Sequence, residues 1–239
     1  MSALVDRVLG WTALGLVALT VWLGLWVTPP DELQGDIVRL LYLHPALAWV
    51  ALYLAFGLAA LCSALYLWPR TRAAKWDLLA ASTVEVGVVF LSLTLVTGML
   101  WGRPAWGVWW TWDARLTSTA LLELLFIGYL ALRRVPADPH TRARRCAVLA
   151  LLACLDVPIV HFSVQWWNGL HQGASVLRAG FHFTIHGSML WTLLLSFVAF
   201  TCVFAWMVRR RYQLAARDAA LEDTELHAAL VERRKEGVR

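Results

Sequence analysis

The sequence predicts an all-α integral membrane protein: a bundle of six transmembrane helices with both termini cytoplasmic and a tryptophan-rich loop on the outer side. Three observations carry that prediction. Hydrophobic residues fill 60% of the 239 positions and charged residues only 15%, which is not the composition of a soluble domain. The apolar residues come in runs of roughly 20, the length that crosses a hydrocarbon core. The basic residues stand in short clusters between those runs, as they do in proteins that set their orientation by charge. The net charge of +5 therefore speaks for membrane topology and against nucleic-acid binding.

Taken in order, the first span covers about 8–27. It is too long and too rich in tryptophan for a signal peptide, and no Ala-x-Ala-like site precedes Thr28-Pro29-Pro30, so it reads as a retained helix. The two prolines stop it, and a short acidic loop follows. The second span, 38–67, contains Pro45 after Tyr42-Leu43-His44. It is longer than a simple crossing needs, so a proline kink with the opening part at or beyond the interface is expected. The remaining spans are about 78–100, 117–132, 146–164 and 181–208. Together they make one transmembrane domain, 1–208, followed by a charged tail, 209–239, whose alternation of charge with Ala and Leu reads as helical. Gly10, Gly15, Gly24, Gly87 and Gly98 suit close approach of neighbouring helices.

Charge asymmetry sets the expected orientation. Arg70, Arg72 and Lys75 follow the second span, Arg133, Arg134, Arg142, Arg144 and Arg145 the fourth, and Arg209, Arg210 and Arg211 the sixth. The other connections carry only Arg39, Arg103, Arg115 and Arg178. The first set is expected on the cytoplasmic side, with both termini. The segment 101–118, with Trp101, Trp106, Trp109, Trp110, Trp112, Asp113 and Arg115, then faces outward. His44, and the loop bearing Trp166, Trp167 and His171, share that side.

Two histidines on different spans beside a bed of indoles match the needs of a b-type haem, whose iron takes two neutral imidazoles and whose ring needs a flat apolar surface. The four outer arginines are candidates to meet the propionates. A second reading stays open at this level, because Trp is enriched at membrane interfaces for its amphipathic ring alone. The cysteines Cys62, Cys146, Cys154 and Cys202 form no CxxC or CxxCH, which argues against a disulfide framework and against covalent haem attachment.

The ordered pattern Trp-Gly-x-Pro-x-Trp-Gly-x-Trp-Trp-x-Trp-Asp-Ala-Arg-Leu-Thr-Ser over 101–118 resembles the tryptophan-rich (WWD) motif of the haem-handling proteins of cytochrome c maturation. Tyr42-Leu43-His44-Pro45 and the run from Pro158 through His161, Trp166, Trp167 and His171 to Gly173 also match. The six-span length is similar to the haem exporter protein C (CcmC) branch. The resemblance implies haem b bound non-covalently on the periplasmic face of a bacterial inner membrane, with His44 and His171 as axial ligands. It implies that the tryptophan segment lies against the macrocycle and that Asp113 organises the loop or a chaperone contact. Implied partners are ABC-type ATPase and permease subunits, a small single-span membrane subunit, and a periplasmic haem chaperone that receives the haem. No ATP-binding loop is present, so ATP hydrolysis belongs to a partner, and the expected role is haem transfer without enzymatic catalysis.

Other polar residues invite a role. His161 within the fifth span is expected to hydrogen-bond inside the bundle. His182 and His186, four apart, are expected to share a helix face and stand as the rival ligand pair. His140 and His227 are expected to lack suitable partners. Glu85, Glu123 and Asp156 sit at membrane depth and need pairing, protonation or burial against polar groups. Two further functions stay open: a membrane b-type cytochrome, and a transporter or permease subunit. The first gives no reason for an outward five-tryptophan segment, and the second predicts an internal repeat that is not visible.

Overall fold

A computed structural model of the chain describes residues 2–171 and 185–236. Among these residues there is no strand beyond a single bridge between Asp31 and Gly35, and six helical stretches are long and apolar enough to span a membrane. The helices are α1 (Ser2–Trp22), α2 (His44–Trp49), α3 (Phe56–Leu67), α4 (Ala74–Trp106), α5 (Ala114–Arg133), α6 (Pro139–Cys154), α7 (Asp156–Trp166) and α8 (Gly187–Glu236).

The second span is segmented. A 3₁₀ helix (Asp36–Tyr42) leads into α2, where Pro45 takes a first-turn position. A proline costs nothing there, because the N–H it lacks has no acceptor in the first turn. The kink expected at Pro45 is thus a junction between two kinds of helix. A π-helical stretch (Val50–Ala55) then joins α2 to α3. The fifth span is likewise two helices, α6 and α7, meeting at Leu155 just ahead of Pro158.

Three of the shifted boundaries show their cause. The third span does not stop at 100: α4 runs through Pro104 to Trp106, so the first part of the tryptophan segment is helical. Gly107, at φ +79°, ends it in the left-handed conformation that suits a residue without a Cβ, and its N–H donates to the Arg103 carbonyl at 3.0 Å. Asp138 caps α6 and starts the fifth span at Pro139 instead of 146, its carboxylate accepting from the Thr141 N–H at 2.9 Å. Position 208 falls inside α8, which continues unbroken into the tail as far as Glu236.

Inside a bilayer, helices associate through packing and hydrogen bonds, because lipid tails are as apolar as leucine. The buried positions agree. On α6 the buried residues Ala143, Cys146, Ala147, Ala150 and Ala153 recur at three- and four-residue spacing, so one small-residue face meets its neighbours. Phe56 and Phe126 stack at 3.8 Å and 4° in the centre of the main core. Four of the five expected glycine approaches occur, against Trp206, Tyr42, Phe56 and His44, whereas Gly15 faces open space.

Apart from Arg39 with Asp36, the ion pairs among the described residues gather at one end. Arg133 holds Asp77 with bonds of 2.6 and 3.0 Å, Arg209 pairs with Asp6, and Arg211 with Glu85. Arginines read from sequence as topology signals thus also lock α5 to α4, and α8 to α1 and α4. Of the three acids expected at membrane depth, Glu85 is only partly buried and is paired in this way. Glu123 accepts from the Ser92 hydroxyl through one oxygen, while its other oxygen and Oδ2 of Asp156 meet no partner among the described residues. His140 does find neighbours, the Arg72 guanidinium at 3.4 Å and the Tyr66 ring at 6.2 Å. The opposite end carries the tryptophan segment 101–118.

Candidate functional site

At the tryptophan end, the 3₁₀ helix, the end of α4 and the start of α8 share one apolar cluster. Val38, Leu41, Tyr42 and Leu193 are buried there, with Trp101, Ile185, Met189 and Phe197 packed against them. Trp101 is further tied to the loop ahead of the 3₁₀ helix, its indole N–H donating to Oε1 of Gln34 at 2.7 Å.

His44 opens α2 beside this cluster. Its ring stands edge-on to Trp101, 5.9 Å between centroids and 87° between planes. Nδ1 lies 3.1 Å from the Thr94 carbonyl oxygen and 3.1 Å from the Thr97 hydroxyl. The Thr97 hydroxyl proton is committed to the Leu93 carbonyl at 2.7 Å, so toward His44 both partners are acceptors. Nδ1 therefore carries the proton and Nε2 keeps its lone pair. Gly98 makes room for this ring: a Cβ there would stand 3.1 Å from Cε1 of His44.

His171 follows α7 in a connection that folds back over the tryptophan segment. Its ring lies 5.7 Å from Trp106 at an interplanar angle of 59°. The two histidines thus each meet a tryptophan of the same helix, His44 with Trp101 and His171 with Trp106.

Arg115 links the parts. Its Nη2 donates to the His161 carbonyl at 2.9 Å and its Nε to the Ser163 hydroxyl at 3.2 Å, while Nη1 stands 3.4 Å from Nδ1 of His171. Asp113 proves to be the N-cap of α5, Oδ1 accepting from the Leu116 N–H at 2.8 Å and Oδ2 from the Thr111 hydroxyl at 3.1 Å. Gly169 packs on its other side, so closely that a Cβ added there would stand 3.3 Å from Cβ of Asp113. Asp113 thereby sets both the exit of the tryptophan segment and the return of the His171 connection.

The other indoles, mostly exposed and with Trp110 half-buried, are grouped as a shelf, though among the described residues no ring contact joins their two pairs. Trp109, Trp112, Trp166 and Trp167 are 55%, 81%, 56% and 51% exposed. Trp110 meets Trp112 at 5.6 Å and Trp166 meets Trp167 at 5.7 Å, and Phe162 stacks under Trp166. Among the described residues, no ring contact joins this shelf to either histidine, so the candidate residues divide into a histidine group and a shelf.

Of the four outer arginines, Arg39 is bound to the Gly24 and Leu25 carbonyls and to Asp36, and Arg103 bends back to the Gly107 carbonyl. Arg178 lies outside the described residues, as does His182. His186 precedes α8 in non-helical backbone and is exposed, so it does not stand on the helix face expected of it. His161 is hydrogen-bonded between two spans, through Nδ1 to the Tyr53 hydroxyl, but the bond is exposed and does not lie in the bundle interior expected of it. Sequence reasoning missed Thr94, Thr97, Gln34, Tyr53 and Ser163. Thr94 and Thr97, three apart on one helix face, were the one available signal.

Comparison with known proteins gives one consistent family. The family model described as "Heme exporter protein C" (CcmC) matches residues 1–225. Among individual relatives, "Heme exporter protein C" of Bradyrhizobium diazoefficiens is 41% identical over 206 residues, 84% of this chain and 76% of the relative. The Escherichia coli K12 protein of the same name is 36% identical over 214 residues, 84% of this chain and 85% of its own. A "Putative cytochrome c biosynthesis ccmC-like mitochondrial protein" of Arabidopsis thaliana is 34% identical over 213 residues, covering 87% and 78%.

Proposed function

This chain belongs to the haem exporter protein C family, and from that premise we propose that it binds haem b non-covalently and passes it to a haem chaperone during cytochrome c maturation. Haem is the cargo. His44 and His171 are the axial ligands, Trp101 and Trp106 border the macrocycle, and the shelf of Trp109, Trp110, Trp112, Trp166 and Trp167 receives its edge or the chaperone. The site faces the periplasm from the inner membrane, with the basic clusters on the cytoplasmic side. ABC-type ATPase and permease subunits and a small single-span subunit complete the assembly, and ATP hydrolysis belongs to them.

The observation that carries this reading is the pinned imidazole of His44. Two acceptors on α4 hold its proton on Nδ1, the arrangement that orients and strengthens a histidine as a metal ligand. Its Nε2 meets no hydrogen-bond partner among the described residues. A histidine serving only to pack would gain by satisfying both nitrogens. The chain's own work is then to bind, orient and release, with transfer requiring that at least one ligand let go.

The test is the absorption spectrum of the purified protein beside His44→Ala, His171→Ala and His186→Ala at equal protein concentration. The low-spin signal should be lost in the first two and kept in the third. Loss in His186→Ala alone would overturn the ligand assignment.

A further inference from the structure

We infer that the two axial positions are unequal: His44 is the retained anchor, His171 is the ligand that departs during transfer, and Arg115 is the positioning residue that draws it away. The inference rests on the haem-binding reading above and specifies how the haem leaves.

The chemistry lies in what faces each Nδ1. At His44 both neighbours accept, so the ring is held as the tautomer whose Nε2 lone pair is ready for iron. At His171 Nδ1 faces a guanidinium, which can only donate. A donor at Nδ1 makes that nitrogen the acceptor, and in a neutral ring the proton must then stand on Nε2. That tautomer cannot ligate iron through Nε2.

Arg115 does not depend on His171 for its place. The Ser163 hydroxyl gives its proton to the Val160 carbonyl at 2.7 Å and so accepts from Arg115 Nε, while the His161 carbonyl accepts from Nη2. Both anchors belong to α7, and Arg115 itself sits at the start of α5. The guanidinium is therefore a fixed donor beside a ring carried on a connection. His44, by contrast, is clamped between α2 and α4 with Gly98 against its edge.

The ligand step balances simply. The iron–Nε2 bond of His171 breaks with both electrons remaining on nitrogen. The ring takes a proton at Nε2 and gives one up from Nδ1, exchanged through water, and Nδ1 then accepts from Arg115. Protons do not change in number and iron does not change oxidation state. The vacated position is open to a ligand from the acceptor protein, while His44 holds the haem against the indoles.

The experiment uses the full-length, haem-loaded protein in lipid nanodiscs, with haem loss followed by capture in excess apomyoglobin alongside the absorption spectrum. His171→Gly should retain haem with an altered spectrum that added imidazole returns to low spin. His44→Gly should lose haem at least about tenfold faster than His171→Gly, the scale of a ligand whose supporting contacts matter. Arg115→Gln supplies an amide oxygen that accepts from Nδ1–H, so haem loss should slow roughly three- to tenfold relative to the wild type. Arg115→Lys, which only donates, should give no such slowing. Equal haem loss from the two glycine variants, or an Arg115→Gln protein that loses haem no more slowly than wild type, overturns the inference. If neither glycine variant alters the spectrum, the ligand assignment itself fails. If both alter it and lose haem at the same rate, only the inequality fails.

Discussion

His44 and Thr94 are joined across two spans by one hydrogen bond, the imidazole Nδ1–H donating to a main-chain oxygen at 3.1 Å. A carbonyl inside α4 normally accepts from the N–H four residues on, and its second lone pair serves His44 here. The contact thus uses a backbone group that no side-chain substitution removes. It makes α4, more than any loop, the element that orients the histidine.

Crowding the ring from the Gly98 side should therefore disturb ligation without unfolding the bundle. A Cβ at 98 would stand 3.1 Å from His44 Cε1, so Gly98→Ala demands a shift of a few tenths of an ångström and Gly98→Val a larger one. The expected outcome is a graded fall in the low-spin absorption from wild type to Ala to Val, at similar protein yield. Identical spectra for all three would show that the ring's seat is not tight.

Asp113 separates capping from charge. Its Oδ1 accepts from the Leu116 N–H, a bond that an Asn side chain reproduces and Ala does not. Asp113→Ala should cost about 1 kcal/mol of stability and loosen the His171 connection that packs on it. Asp113→Asn should keep most of that stability. Thermal unfolding in detergent distinguishes them, and an Asn protein as unstable as the Ala protein would show that the charge matters more than the cap.

Trp112 is 81% exposed, so its indole contributes little to folding. Trp112→Ala should leave stability within about 0.5 kcal/mol while lowering haem transfer to an acceptor. Trp101→Ala makes the contrast. It removes a ring packed in the apolar cluster and bonded to Gln34, and should cost about 2 kcal/mol or more. Equal loss of stability in both would contradict the division between shelf and histidine group.

The Asp77–Arg133 pair is 11% and 15% exposed, with two short bonds. Removing one member leaves the other charged and unpaired, so Asp77→Ala should destabilise by about 3 kcal/mol. Replacing both with apolar residues of similar size should recover much of the loss. Because the pair lies at the end away from the 101–118 segment, the haem spectrum of whatever protein remains folded should be unchanged. A changed spectrum would reveal coupling between the two ends.

How far the sequence could be read follows from the kind of force behind each feature. The six spans were legible because transfer into lipid depends on the summed hydrophobicity of a stretch, which is additive along the chain. Their ends were not. Pro104 sits inside α4 at the loss of one backbone hydrogen bond, and only Gly107 closes the helix. The tail merged into α8 because Arg209 and Arg211 find Asp6 and Glu85 on other helices, a pairing invisible in local charge. His186 looked like a helix residue from its spacing, yet Gly187 at φ +59° marks the helix start just beyond it.

By itself, the sequence determined the membrane class, the six-span count, and the set of indoles and histidines gathered at one end, since these depend on composition, run length and the parity of crossings. The tertiary structure alone decided what faces each nitrogen. Thr94 and Thr97 approach His44 from 50 and 53 residues away, and Arg115 approaches His171 from 56 residues away. A histidine's tautomer is set by whether its neighbour accepts or donates, and that neighbour is chosen by helix packing. The tryptophan segment followed the same rule: its order was plain in the sequence, but packing set Trp101 and Trp106 beside the histidines and left Trp109 and Trp112 exposed.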